Sequence, residues 1–269
     1  MFNFYSISSS SSGNCLLVQS DNTNILIDIG VSVKKIKSEL EKLSLSLDDI
    51  SGILITHEHS DHCKSISSIC KKHSGIPIYL NKPTFEALQN IYGINIDNIH
   101  YINPNVTFDI NDLSITPFKI PHDAVLPCGY TISKGEHKMS IATDMGLVTD
   151  EVIESLSNNS FVFIESNYET EMLNTCRYPY YIKRRISSNM GHLSNVQCSE
   201  MISTLISKNT TRFMLGHLSN ENNSPDLALK TVESTLLCNN ISLDNIQISV
   251  ASKDTLSNIV EIEKVNIFK

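Results

Sequence analysis

Three histidines and an aspartate fall within six residues in Thr56-His57-Glu58-His59-Ser60-Asp61-His62, directly after the apolar run GILIT (52–56). All four side chains are donors to divalent cations. On an extended loop, residues two apart point the same way, so His57 and His59 can share one ion while Asp61 and His62 turn toward a second. Imidazole and carboxylate donors suit Zn²⁺, Mn²⁺ or Fe²⁺, and the cluster holds no Cys of the kind that builds closed structural zinc sites. Two such ions lower the pKa of water and clamp the oxygens of an in-line displacement. The competing possibility is a purely structural cluster. Without a cation, four such groups crowded at one strand end would strain the fold.

A second window has binding rather than ligand chemistry. Met172 to Ser199 contains no Asp or Glu, in a chain of net charge -8. It holds Arg177, Lys183, Arg184, Arg185 and His192, with Tyr178, Tyr180 and Tyr181 among them. Basic side chains hold phosphates, and tyrosine rings stack on unpaired bases. Arg177, Lys183, Arg184 and Arg185 are therefore the candidate substrate-binding residues. The plainer alternative is a solvated basic helix with packed tyrosines.

These residues need elements to position them. FNFYSI (2–7), CLLV (15–18), NILID (24–28), GILIT (52–56) and IPIYL (76–80) are short apolar runs bounded by turn residues, and are expected as strands. Spacings of three and four over Val33, Ile36, Leu40 and Leu43 predict a helix, as does the stretch around 66–70. Pro83 suits the opening of another. In the second half VTFDI, LSITPFKI, GYTIS, KMSIAT, FVFIE (161–165) and RFMLG (212–216) are expected strands, with helices near 149–156, 195–206 and 226–237. The serine run before Gly13 and Asn14 is short enough for a tight loop. Two strand-rich halves, each with helices, point to an α/β (α+β) chain folded as a four-layer αββα sandwich.

Composition bounds the rest. The 269 residues suffice for one large domain, expected over 1–269 in the absence of repeats or a hinge. A hydrophobic fraction of 41% with 19% charged residues excludes a disordered chain. No apolar run reaches the ~20 residues of a membrane helix, so no membrane role is expected. No secretory signal is visible at the N-terminus. Seven scattered Cys without a CxxC pair argue for a reducing compartment, hence the cytoplasm. His100 and His137 are expected as loop or surface residues. His73 ends a helical segment, where a cation meets the helix dipole favourably.

The motif THEHSDH after an apolar strand resembles the metal-binding signature of the metallo-β-lactamase superfamily. Other elements of that family follow in order. The resemblance makes Asp28 in NILIDIG the acidic support of the histidine loop, and His122 in IPHDAVLPCGY a further ligand. It makes Asp144 in IATDMG the carboxylate bridging both metals, and His217 in FMLGHLSNENN the last ligand. Over essentially the whole chain, SSGNC, FIESNYETEML, RYPYYIKRRISSNMGHLSN and HLSNENN are similar to the YycJ/WalJ-type family of bacteria, whose members are exonucleases acting on double-stranded DNA from the 5′ end. The order GHLSN, helix, FMLGHLSN also resembles the end of ribonuclease Z-type phosphodiesterases, which implies that His192 assists at the scissile phosphate. The alternative for His192 is a helix N-terminal residue without a role.

The resemblance implies a binuclear site. His57, His59 and His122 would hold one ion, Asp61, His62 and His217 the other, with Asp144 between them. Asp61 would also orient the attacking water, His192 would act as general acid, and Glu165 would tether a ligand histidine. Nucleic acid, DNA ahead of RNA, is the expected substrate. Two rivals remain open: a small-molecule phosphodiesterase, lactonase or thioesterase on the same scaffold, and a non-catalytic regulatory protein with a vestigial site.

Overall fold

The apolar runs of the first half become the strands of one mixed sheet, in a computed structural model that describes residues 1–262. Residues 263–269 of the expected domain lie outside that range. Strands β1 (Phe2–Ser8), β2 (Cys15–Ser20) and β3 (Asn24–Ile27) pair antiparallel in that order. From β3 onward β4 (Gly52–Leu54), β5 (Ile78–Leu80) and β6 (Ile99–Tyr101) continue in parallel. Strand β5 starts later than the IPIYL run suggests, at Ile78, just after Pro77, which has no N–H to give a ladder. A hairpin of β7 (Phe108–Ile110) and β8 (Leu113–Lys119) follows.

Helices α1 (Val33–Lys42), α2 (Ser60–Cys63), α3 (Ile66–Lys72) and α4 (Lys82–Tyr92) are inserted between these strands. Their ends follow local chemistry. The Ser32 side chain accepts from the Lys35 N–H to open α1, and Asn81 does the same with Thr84 for α4, where Pro83 sits in the first turn. Ile36 and Leu40 of α1 and Ile66 and Ile69 of α3 pack on Leu17, Leu26 and Ile53 of the sheet. These residues are fully buried, and each such side chain contributes roughly 1.5–3 kcal/mol.

In the second half β9 (Cys128–Lys134) and β10 (His137–Ala142) form a hairpin, and β11 (Phe161–Glu165), β12 (Arg212–Gly216) and β13 (Gln247–Val250) run parallel to β10. Helices α5 (Asp150–Leu156), α6 (Thr170–Thr175), α7 (Tyr180–Ile186), α8 (Asn195–Ile206) and α9 (Pro225–Cys238) accompany them. Ser194 and Gln197 close a capping box on α8. Ile202 and Leu205 of α8 and Val232 and Leu236 of α9 bury against Val162, Ile164 and Leu215. A last short strand, β14 (Val260–Glu261), returns to β1.

Contacts divide the chain into two compact units. One is Met1–Pro117 with Ala124–Cys128 and Ser252–Glu261; the other contains Phe118–Asp123 and Gly129–Ala251. Each has its own core and a parallel stretch of sheet. In such sheets the loops that leave the carboxyl ends of the strands are where sites are built. The expected strands and helices occur in the expected order, and α2, β6, α6, α7, β13 and β14 are additional to them.

Candidate metal centre

In the first unit the donors leave the carboxyl ends of neighbouring parallel strands. β3 ends into Asp28, and β4 runs into the histidine loop. Asp28 organises that loop: its Oδ1 accepts from the Thr56 N–H at 2.9 Å, and its Oδ2 accepts from the Thr56 hydroxyl at 2.8 Å and from His62 Nδ1 at 2.7 Å. With Nδ1–H spent on Asp28, His62 carries its lone pair at Nε2, which faces the Asn14 amide at 3.2 Å and Asp61 Oδ2 at 3.5 Å. The ring of His57 lies 4.7 Å from that of His59 and 4.2 Å from that of His62, centroid to centroid. His57 Nδ1 meets the Thr56 hydroxyl at 3.0 Å. Gly30 is required here because a Cβ at that position would lie 1.6 Å from the Asp61 carbonyl oxygen.

The serine-rich loop closes the same cluster from beneath. Asn14 takes the Asp61 carbonyl with its backbone N–H at 2.8 Å, and its own carbonyl accepts from the Gly30 N–H at 2.8 Å. Ser8, Ser9, Ser10 and Asn14 are buried, so this low-complexity stretch is a structural loop. Glu58, between the first two histidines, turns away from them and accepts the Val125 N–H at 2.9 Å.

The second unit presents its donors in the same way. β10 runs into Asp144, β11 ends at Glu165, and β12 runs into His217. Asp144 Oδ1 lies 3.8 Å from His122 Nε2 and 3.4 Å from His217 Nε2. His122 Nδ1 is tied to the Gly191 carbonyl at 3.0 Å, and His217 Nδ1 to Glu165 Oε1 at 2.8 Å. Both rings therefore direct Nε2 toward Asp144. His192 Nδ1 binds the same Glu165 oxygen at 2.8 Å, while Oε2 of Glu165 accepts the Met145 and Leu193 N–H groups. Asn167 donates its side-chain amide to the His217 carbonyl at 2.7 Å.

Electrostatics follow the geometry. Complete burial resists ionisation of Glu165, but the charges and hydrogen bonds of His192 and His217 outweigh it and bring its pKa to about 2. Burial lowers the pKa of His122, which keeps the imidazole neutral, the form a ligand requires. Asp28, Asp144 and His217 have φ of 60°, 60° and 54°. They occupy the left-handed region, costly for residues with a Cβ and concentrated at functional sites. Each stands just beyond the end of a strand, so the backbone turns abruptly as the side chain is delivered.

This donor set fits divalent metal ions. Buried imidazoles with Nδ1 anchored and Nε2 presented, next to carboxylates, are how proteins orient metal ligands. Within the second unit Asp144, Glu165, His192 and His217 have potential ligand atoms within 4.8 Å of one another. Glu165 spends both oxygens on four hydrogen bonds, which suits it to anchoring rather than to ligation.

The basic window divides in a way the sequence does not show. Tyr180 and Tyr181 of α7 are 76% and 71% exposed and so are not packed, whereas Tyr178 is half-buried. Arg177 and Arg184 are exposed, and Lys183 Nζ donates to the Asn174 carbonyl at 2.6 Å. Arg185 is engaged elsewhere: its guanidinium grips both oxygens of Asp123, with Nη2 to Oδ1 at 3.0 Å. That carboxylate stands 3.3 Å from His122 Nε2. The last turn of α7 also holds the catalytic candidate, since the His192 N–H donates to the Ile186 carbonyl at 2.8 Å. A Cβ at Gly191 would lie 2.2 Å from that same carbonyl oxygen, so only glycine admits this approach.

Sequence reasoning passed over Asn14, Thr56, Asp123 and Asn167 as individual site residues. Asn14 and Asn167 stand in SSGNC and FIESNYETEML, which carried the resemblance, but their side-chain partners are far away along the chain.

Comparison with known proteins identifies the family and the fold. A model of the beta-lactamase superfamily domain matches residues 23–218. An exodeoxyribonuclease YycJ of Bacillus anthracis is 35% identical over 235 residues, 87% of this chain and 88% of its own. An exodeoxyribonuclease WalJ of Streptococcus pneumoniae is 32% identical, with 97% of this chain and 98% of its own covered. Among solved structures, the metallo-beta-lactamase fold protein YhfI from Bacillus subtilis superposes with a TM-score of 0.73 at 16% identity, covering 95% of this chain and 98% of its own. Human tRNase Z, short form, superposes with a TM-score of 0.62 at 12% identity, covering 95% and 98%. The chain has the metallo-β-lactamase fold, the αββα class expected from its sequence, and it belongs to the beta-lactamase superfamily, in the family of the YycJ and WalJ proteins.

Proposed function

We propose that this metal-dependent hydrolase is a binuclear phosphodiesterase acting as a 5′-to-3′ exonuclease on double-stranded DNA. The observation that carries the nuclease reading, beyond the names of the relatives, is the union of helix α7 with His192. A basic, aromatic and exposed helix is hydrogen-bonded through its last turn to a histidine of the donor cluster. That arrangement suits a phosphate-bearing substrate better than a lactone or thioester, and it leaves small phosphodiesters as the rival substrates.

In this reading His57, His59 and His122 hold one ion; Asp61, His62 and His217 hold the second; and Asp144 serves both. Zn²⁺ or Mn²⁺ is the proposed metal, with Fe²⁺ next. When bound, the ions supply a water of lowered pKa and neutralise the charge that builds on the phosphoryl oxygens. Asp61 orients the attacking water. His192 gives a proton from Nε2 to the leaving oxygen, and the Glu165 carboxylate at its Nδ1 stabilises the imidazolium that this requires. Asp28 holds His62, and Glu165 holds His217 as well. Arg177, Lys183 and Arg184 contact the nucleic acid. Residues 1–269 act as one domain, since the superfamily match runs through both units. The seven cysteines are all free thiols, which suits the cytoplasm. Among the described residues no helix is long and apolar enough to cross a membrane.

The test is cleavage of end-labelled duplex DNA, single-stranded DNA and RNA by protein reconstituted with Mn²⁺ or Zn²⁺. Stepwise nucleotide release from the 5′ end of duplex DNA is expected. Turnover confined to small phosphodiesters, lactones or thioesters would transfer the chain to the first rival. No turnover and no metal would leave the regulatory reading.

A further inference from the structure

Residues 180, 183, 184 and 187 follow the spacing that places side chains on one face of a helix. On α7 these are Tyr180, Lys183, Arg184 and Ser187. With Leu173 and Asn174 of α6 and Tyr178 of the connecting turn they line a cavity of about 520 Å³. Arg185 lies off that face and is committed to Asp123. The helix thus separates its neighbouring arginines, one into the cavity and one onto the loop of His122.

The chemistry of the cavity is specific. Arg184 lies over the Tyr180 ring, with its Cζ 5.9 Å from the centroid, so the cation and the ring belong to one wall of the cavity. Lys183 spends one of its three donors on the Asn174 carbonyl and keeps two. Among the described residues no carboxylate lines the cavity itself, and the Tyr178 hydroxyl donates to the Glu221 carboxylate. Aromatic faces next to cations and a few amide and hydroxyl groups match one nucleotide: base on the rings, phosphate on the cations. Paired bases hide their faces in the stack, so a base must be unpaired to use such a wall. Ser187 and Ile186 lead straight into the His192 loop, so a strand held here is held on the element that carries the proposed general acid.

We infer that the α6–α7 cavity binds one unpaired nucleotide of a DNA strand, so that frayed or overhanging ends are gripped more tightly than blunt ones. This rests on the exonuclease reading and adds to it a site distinct from the metal donors. Fluorescence anisotropy with the metal-loaded protein and labelled short poly-dT carrying phosphorothioate linkages tests it, alongside blunt and overhanging duplexes of the same backbone. Tyr180→Ala should weaken poly-dT and overhang binding by about 5- to 160-fold, the range for one lost base stack, and weaken blunt-duplex binding less. Tyr180→Phe, which keeps the ring, should remain within about twofold of wild type. Equal binding by Tyr180→Ala and wild type overturns the inference. So does weakening by Arg184→Ala alone, which would make the cavity a phosphate contact without a base. Failure of the nuclease reading shows differently, as wild-type protein that cleaves no nucleic acid.

Discussion

Arg185 holds Asp123 with two prongs of its guanidinium, and Asp123 is the immediate neighbour of His122. Two adjacent arginines therefore have different tasks. Arg184→Ala should raise KM for long DNA and reduce the salt slope of binding by about 1, as for a lost phosphate contact. Arg185→Ala should leave the salt slope nearly unchanged and lower kcat, because Asp123 is released beside His122. Arg185→Lys should not restore kcat, since an ammonium has no fork. Steady-state kinetics over a salt series separate the two. Identical behaviour of the two alanine variants would return both residues to one basic face.

Glu165 connects His192 and His217 through a single oxygen. Glu165→Gln removes the charge and leaves an amide that cannot accept from both rings as well. Metal affinity should fall by about 10- to 100-fold, the usual cost of losing an anchor behind a ligand. Competition with a fluorescent chelator measures this. Because His192 also loses its partner, saturating metal should restore occupancy without restoring kcat. Full rescue by metal would assign Glu165 to His217 alone.

His192→Ala should lower kcat by about 10²–10⁴-fold, with metal content unchanged. A substrate with a good leaving group needs little protonation and should suffer less. Loss of metal in this variant would make His192 a ligand, and unaffected kinetics would make it structural.

Elemental analysis of gently purified protein should find close to two transition-metal ions per chain. Chelation should abolish turnover, and added Mn²⁺ or Zn²⁺ should restore it. Asp144→Ala should lower occupancy and abolish turnover, because the carboxylate stands between His122 and His217. Normal activity in Asp144→Ala would place the bridge elsewhere.

The strands were legible where apolar runs were dense: GILIT and FVFIE lie close to β4 and β11, and the donors stand at their ends as the family pattern required. The histidine loop was legible because its residues are close in sequence. What escaped has a physical reason. Helix α7 has no buried residue, so no apolar period marks it, and its composition alone cannot say which side chain faces which way. Arg184 and Arg185 look alike until the helix turns 100° between them. Strands β6 and β13 are short and partly exposed, without the continuous apolar run that marks a buried strand. Asn14 is tied to Asp61 and His62 from 47 and 48 residues away, a relation no local pattern records.

The left-handed backbone at Asp28, Asp144 and His217 bears on the idea of a vestigial site. A β-carbon in that conformation costs about 1–2 kcal/mol, and glycine relieves it. In metal-free protein, Asp144→Gly should therefore melt above Asp144→Ala, although both lack the carboxylate. The same relief is open at all three positions by single substitutions. A lineage freed from hydrolysis would gain thermal resilience by taking them, so decay would tend to erase these residues first. Aspartate, aspartate and histidine stand at these three left-handed corners, so a substitution that relaxes one of them should exchange turnover for thermal stability.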